Sequence, residues 1–149
     1  MSTDKSEWLY RQIVEKSQDA IIFADRDGVI RLWNLGAEAI FGYQAQDAVG
    51  ESLDLIVPEN LCDRHWEGYR KVMATGETRY GTELLKVPAL RKDGHRISIE
   101  FTIVLVHGSE GEVAGTAAII RDVTVRWQRE KDLKKRLTDL ESKAKETKT

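Results

Sequence analysis

The sequence is short of the residues that build extracellular and membrane proteins. It has a single cysteine, Cys62, in 149 residues, so no disulfide can form within the chain. That usage fits a reducing cytoplasm. No apolar run approaches the roughly 18 residues that a transmembrane helix needs. The acidic opening MSTDKSEW also lacks the hydrophobic region of a secretory signal. We therefore predict a cytoplasmic protein, and 41% hydrophobic with 32% charged residues indicates a globular one.

Motifs of known catalytic and metal sites are missing as well. The sequence has no phosphate-binding loop, no His-Glu-x-x-His, no Gly-x-Ser-x-Gly and no kinase signature. His65, His95 and His107 do not stand at the spacing of a zinc site with Cys62. We therefore predict that the protein is not an enzyme.

Charge divides the chain into an acidic body and a basic tail. The net charge is -2, which argues against a dedicated nucleic-acid binder. Residues 126–149 nevertheless carry nine basic and five acidic side chains. We predict three segments: an N-terminal cap helix in residues 1–18, a globular domain in 19–124, and a C-terminal amphipathic or coiled-coil helix in 125–149.

The hydrophobic pattern predicts an α+β fold with a five-stranded antiparallel sheet. The expected order is a helix, two strands, a cluster of helices, three strands and the tail helix. Glycine turns at Gly28 and Gly94 join two pairs of strands as hairpins. Residues 108–115 are expected to form a glycine-rich loop before a last strand at 116–123. The clearest helix covers 60–75 and ends at Gly76.

His65 is the candidate for site chemistry. It shares one face of the predicted helix with Leu61, Tyr69 and Val72. That face is apolar and is expected to look into a cleft against the sheet. A neutral imidazole in a dry pocket is a good axial ligand for haem iron. The alternative is that the imidazole packs, or makes a hydrogen bond, with no cofactor present.

An ordered set of short motifs resembles the PAS family of sensory domains. The matching pieces are Ser17-Gln-Asp-Ala-Ile-Ile-Phe-Ala-Asp25, Asp27-Gly28, Trp33-Asn34, Ala37-Glu-Ala-Ile-Phe-Gly-Tyr43, Val49-Gly50, Ile56-Val-Pro58, Thr75-Gly-Glu77, Arg91-Lys-Asp-Gly94 and Arg121-Asp-Val-Thr124. The resemblance implies a five-stranded sheet with helices over one face, a ligand cleft between them, and a sensing function. It also implies that Asp122-Val-Thr124 passes a signal into the tail helix.

The segment Pro58–His65 is similar to the haem-binding segment of rhizobial oxygen-sensing kinases and direct-oxygen-sensor phosphodiesterases. This resemblance implies haem b with His65 as the metal ligand. Leu85 replaces a distal arginine of those proteins, and Glu83 replaces a methionine ligand. The residues predicted to contact the cofactor are His65, Tyr69, Tyr80, Leu85, Phe101, Ile103 and Ile119.

Two other functions remain open from the sequence. The first is a cofactor-free homodimer formed through the first and last helices, because Leu133, Leu137, Leu140 and Ala144 follow a heptad rhythm. The second is a small metabolite bound in an apolar cleft. The residues expected to line that cleft are Ile21, Phe41, Leu55, Leu61, Val72, Phe101 and Ile119.

Overall fold

A five-stranded antiparallel sheet forms the centre of the fold, in a computed structural model that describes residues 2–78 and 84–147. The strands are β1 (Ala20–Asp25), β2 (Ile30–Trp33), β3 (Leu85–Leu90), β4 (Arg96–His107) and β5 (Val113–Asp122). Their order across the sheet is β2-β1-β5-β4-β3, and every neighbouring pair is antiparallel. The predicted α+β class and sheet are therefore confirmed.

Five α-helices accompany the sheet in the described part of the chain. They are α1 (Ser2–Lys16), α2 (Leu35–Phe41), α3 (Ala45–Ala48), α4 (Cys62–Thr75) and α5 (Thr124–Thr147), with single 3₁₀ turns at Leu53–Leu55 and Glu59–Leu61. The cap helix and the tail helix are both present, as predicted. None of the described helices is long and apolar enough to cross a bilayer.

Strand alternation gives the sheet two different faces. On the inner face, the apolar side chains of the strands pack against α2, α4 and the segment before α4. The buried members of this core include Ala20, Ile22, Ile30, Trp33, Phe41, Ile56, Tyr69, Met73, Ile97, Ile99 and Ile120. The outer face carries the intervening residues, among them Thr102 and Ile119, which are paired across β4 and β5.

Strand β5 begins earlier than the sequence indicates. The predicted loop at 108–115 includes Val113 and Gly115, and the structure places both inside β5. Gly115 is there because a Cβ at this position would lie 2.1 Å from the backbone oxygen of Ala24. This glycine permits a close approach between strands rather than a turn.

The last helix is fastened to the sheet only at its beginning. Thr124 opens α5, and its Oγ1 accepts a hydrogen bond from the Ser98 backbone N–H at 3.0 Å. The Asp122 carboxylate accepts the Thr124 backbone N–H at 2.9 Å, which caps the new helix. No described residue of α5 is buried.

Candidate functional site

Helix α4 places the candidate site across the inner face of the sheet. Gly76 ends the helix in the left-handed conformation, as its sequence position predicts. Tyr69 and Met73 are the buried residues of α4, so these side chains define the face that meets the core. His65 lies one turn before Tyr69 on the same side of the helix.

His65 is half-buried and stands in an aromatic cluster. Its ring centroid lies 4.8 Å from that of Trp66 and 5.9 Å from that of Tyr69. Burial lowers the pKa of the imidazole, against an opposing effect of the Asp54 carboxylate. Among the described residues, only the His65 Nδ1 atom is a buried side-chain nitrogen or oxygen without a hydrogen-bond partner. Burial therefore favours the neutral form of this imidazole, and its Nδ1 atom has no hydrogen-bond partner among the described residues.

Trp66 fixes the helix against the β1–β2 turn. Its Nε1 donates to Asp54 Oδ1 at 2.6 Å, and its ring lies directly over Gly28. A Cβ at Gly28 would stand 2.1 Å from the indole. The sequence predicts that Gly28 is a turn residue, but it does not indicate that this glycine lies against the Trp66 ring.

Tyr69 is tied to strand β1. Its buried hydroxyl lies within hydrogen-bond distance of the backbone oxygens of Ala24 and Asp25, at 3.2 Å from the first. Burial raises the pKa of this phenol. Because its hydroxyl is already engaged, Tyr69 contributes a packed ring beside His65 rather than a free ligand.

The inner face of β3 and β4 supplies an apolar wall. Phe101 is paired with Leu85 on one side and with Ile120 on the other, and Ile103 is paired with Ala118. Leu85, Phe101 and Ile103 are all half-buried, whereas Ile97 and Ile99 earlier on β4 are buried. The inner face is therefore less tightly covered around Phe101 and Ile103 than around Ile97 and Ile99.

The pairing of the strands corrects the sequence-based placement of Ile21 and Ile119 in the cleft. These two residues are paired with each other across β1 and β5, and Ile119 is paired with Thr102 of β4. Strand alternation then puts both on the outer face, opposite to Phe101 and Ile120. Ile119 cannot line the same cleft as His65. Tyr80 and Glu83 lie outside the described residues.

Two surface grooves lie away from His65. One, of about 570 Å³, runs along α5, and the other, of about 340 Å³, lies between α1 and β2. Within residues 2–78 and 84–147, no three His, Cys, Asp or Glu side chains are grouped as a metal cage would need.

Comparison with known proteins identifies the family. The PAS fold family matches residues 14–128, most of the chain. This chain belongs to the PAS family. A solved PAS domain from Colwellia psychrerythraea has the same fold, with a TM-score of 0.70, 24% identity, and coverage of 80% of this chain and 98% of its own.

Relatives of this PAS domain include signalling proteins. An uncharacterised protein of Azorhizobium caulinodans is 35% identical over 81% of this chain and 16% of its own length. The signal transduction histidine-protein kinase AtoS of Escherichia coli is 31% identical over 76% of this chain and 18% of its own. The oxygen sensor protein DosP of E. coli is 25% identical over 75% and 14%. The chain thus spans less than a fifth of each of these relatives.

Proposed function

We propose that this PAS sensory domain binds haem b in the cleft between α4 and the sheet, with His65 as the axial ligand, and relays the state of the cofactor to α5. The observation that carries the proposal is the buried Nδ1 of His65, which lacks a partner among the described residues. The similarity to the oxygen sensor DosP supports a sensing role of this kind.

The residues beside His65 suit a haem group. Burial keeps the imidazole neutral, as iron ligation requires. Leu85, Phe101 and Ile103 are half-buried on the inner face of the sheet and offer an apolar surface to a haem ring. When bound, the haem iron would supply a centre that responds to gases or redox state. Leu85 carries no hydrogen-bond donor, so the choice of gas would rest on other residues of the wall.

An absorption titration with hemin tests this proposal. Wild-type protein is expected to develop a sharp Soret band at one equivalent. His65→Ala removes the ligand itself and should weaken hemin binding by at least about a hundredfold, because losing even a residue that only supports a metal ligand can cost that much. His65→Gly with added imidazole should restore the band, because free imidazole then occupies the vacated position.

His95→Ala and His107→Ala serve as matched controls, since both histidines are exposed. Each should retain the wild-type spectrum. An identical hemin titration for His65→Ala and wild type would sink the proposal. The cleft would then be assigned to a small apolar metabolite, or to no ligand.

A second candidate function is homodimerisation through the terminal helices. Helix α1 exposes Trp8, Leu9 and Ile13 to solvent by 63%, 48% and 58%. Along α5, Leu133, Leu137 and Leu140 are similarly exposed and follow the heptad rhythm. Patches of this kind mark protein interfaces, and a second copy of the chain presents matching helices.

Light scattering coupled to size-exclusion chromatography tests the dimer. We expect the wild type to elute as a dimer at micromolar concentrations, and Leu9→Glu/Ile13→Glu to elute as a monomer. A dimer would bury the introduced carboxylates without a cation beside them, which is costly. The dissociation constant should therefore rise at least about a hundredfold. Lys5→Glu, on an exposed position of the same helix, should not change the mass. A monomeric wild type at all concentrations would exclude this function.

A further inference from the structure

A line of alternating charges crosses the outer face of the sheet between the two terminal helices. It begins at Asp19, just after α1, whose carboxylate binds the Arg121 guanidinium through two hydrogen bonds of 3.2 and 3.0 Å. Arg121 is the cross-strand partner of Glu100 on β4. Glu100 in turn binds Arg126 Nη2 of α5 at 2.8 Å.

Glu100 is the unusual member of this line. Its side chain is only 9% exposed, whereas those of Arg121 and Arg126 are 66% and 47% exposed. A carboxylate withdrawn from water in this way needs a cation beside it. Three cations face it: Arg126, Arg121 on one neighbouring strand, and Lys86 on the other.

The two arginines differ in what else they can bind. Arg121 is held by Asp19, and this pairing, with a smaller contribution from Glu100, raises the pKa of its guanidinium. Arg126 has only a loose second contact, to Glu130 at 3.8 Å on its own helix. Asp19 therefore keeps Arg121 occupied while Arg126 holds the buried carboxylate.

Asp19 is also connected to α1 through a buried side chain. Its backbone oxygen accepts a hydrogen bond from the buried Asn34 side chain, which also binds the backbone oxygen of Val14 in α1. The residue that binds Arg121 is therefore joined to α1 by one side chain. This arrangement requires no ligand at His65 and is independent of the haem proposal.

We propose that Arg121 and Arg126 compete for Glu100, so that the contact between Asp19 and Arg121 controls how firmly α5 is held to the sheet. When Asp19 no longer binds Arg121, the Arg121 guanidinium is free to bind Glu100, its cross-strand neighbour. Arg126 is then repelled by a second cation and loses its partner. The N-terminal and C-terminal helices are coupled in this way across the outer face.

Hydrogen–deuterium exchange of a peptide covering residues 124–132 measures the hold on α5. In about 50 mM salt, where charges are weakly screened, Arg126→Gln should speed exchange by about tenfold, because Glu100 loses its partner. Arg129→Gln is the control: this exposed cation on the same helix forms no ion pair among the described residues, and it should change exchange by less than about twofold.

The competition itself is tested by a rescue. Asp19→Asn should speed exchange of the same peptide by about threefold, because the released Arg121 then competes with Arg126 for Glu100. Arg121→Gln alone should leave exchange at the wild-type rate, and the double variant Asp19→Asn/Arg121→Gln should return to that rate. If Asp19→Asn acts equally with and without Arg121, or Arg126→Gln equals Arg129→Gln, the proposal is overturned. Near-ultraviolet circular dichroism of each variant verifies that the core remains folded.

Discussion

Replacing Asn34 by alanine should lower the free energy of unfolding by about 3 to 4 kcal/mol, since it leaves several buried backbone groups unpaired at once. Asn34 is 4% exposed. Its Oδ1 accepts the backbone N–H groups of Ile21 at 2.8 Å and Ala37 at 2.9 Å. Its Nδ2 donates to the backbone oxygens of Val14 at 2.7 Å and Asp19 at 3.1 Å. One amide thus joins α1, β1 and the start of α2.

Asn34→Asp tests the two contacts in which the amide donates separately from the two in which it accepts. The aspartate keeps the two acceptor contacts but turns a second oxygen toward the Val14 and Asp19 carbonyls. Folding should therefore favour the protonated acid and raise its pKa above the usual value of about 3.9. The loss of stability relative to wild type should be largest at pH 7 and shrink as the pH falls toward 4.

Urea unfolding followed by circular dichroism measures both variants. Gln44→Ala is the matched control, because Gln44 directly precedes α3, makes no side-chain capping bond to it and is exposed. It should change stability by less than about 0.5 kcal/mol. An Asn34→Ala protein no less stable than Gln44→Ala would show that the four contacts do not hold the terminal helix to the core.

Gly28→Ala should cost about 3 kcal/mol more than Gly50→Ala, although both glycines are in the left-handed region, with φ of 76° and 95°. Backbone strain is common to the two substitutions. At Gly28 the new methyl group would lie 2.1 Å from the Trp66 ring, whereas nothing stands within 4 Å at Gly50. The difference between the two variants therefore isolates the contact with Trp66.

A double-mutant cycle checks the origin of this difference. Trp66→Ala removes the ring, so the loss in Gly28→Ala/Trp66→Ala should fall short of the sum of the single losses by at least about 1 kcal/mol. Additive losses would mean that Trp66 moves aside freely. In that case the indole would not fix α4, and with it His65, above the β1–β2 turn.

The order of elements could be read from the sequence because each one has a local signal. Gly28 and Gly94 mark the hairpin turns, and Gly76 ends the helix that carries His65. The face of β5 could not be read, since the run Ala117–Ile120 is apolar throughout and has no alternation to show which side is buried. Only the pairing of Ile119 with Ile21 and Thr102 shows that it lies on the outer face.

Contacts between segments that are far apart in the sequence could not be predicted either. Trp66 and Gly28 meet only once α4 lies over the β1–β2 turn, and nothing local to either residue indicates this. Glu100 reads as an ordinary polar residue on an alternating strand. Only the start of α5, which brings Arg126 over the sheet, makes it a buried ion pair.

Because α5 is attached at one end and projects freely beyond it, the helix is a lever. Its 24 residues extend about 36 Å at the usual rise per residue. A tilt of about 10° at Thr124 therefore carries the far end through about 6 Å, more than a helical turn. A change too small to disturb the sheet thus becomes a displacement of several ångströms at the far end of the helix.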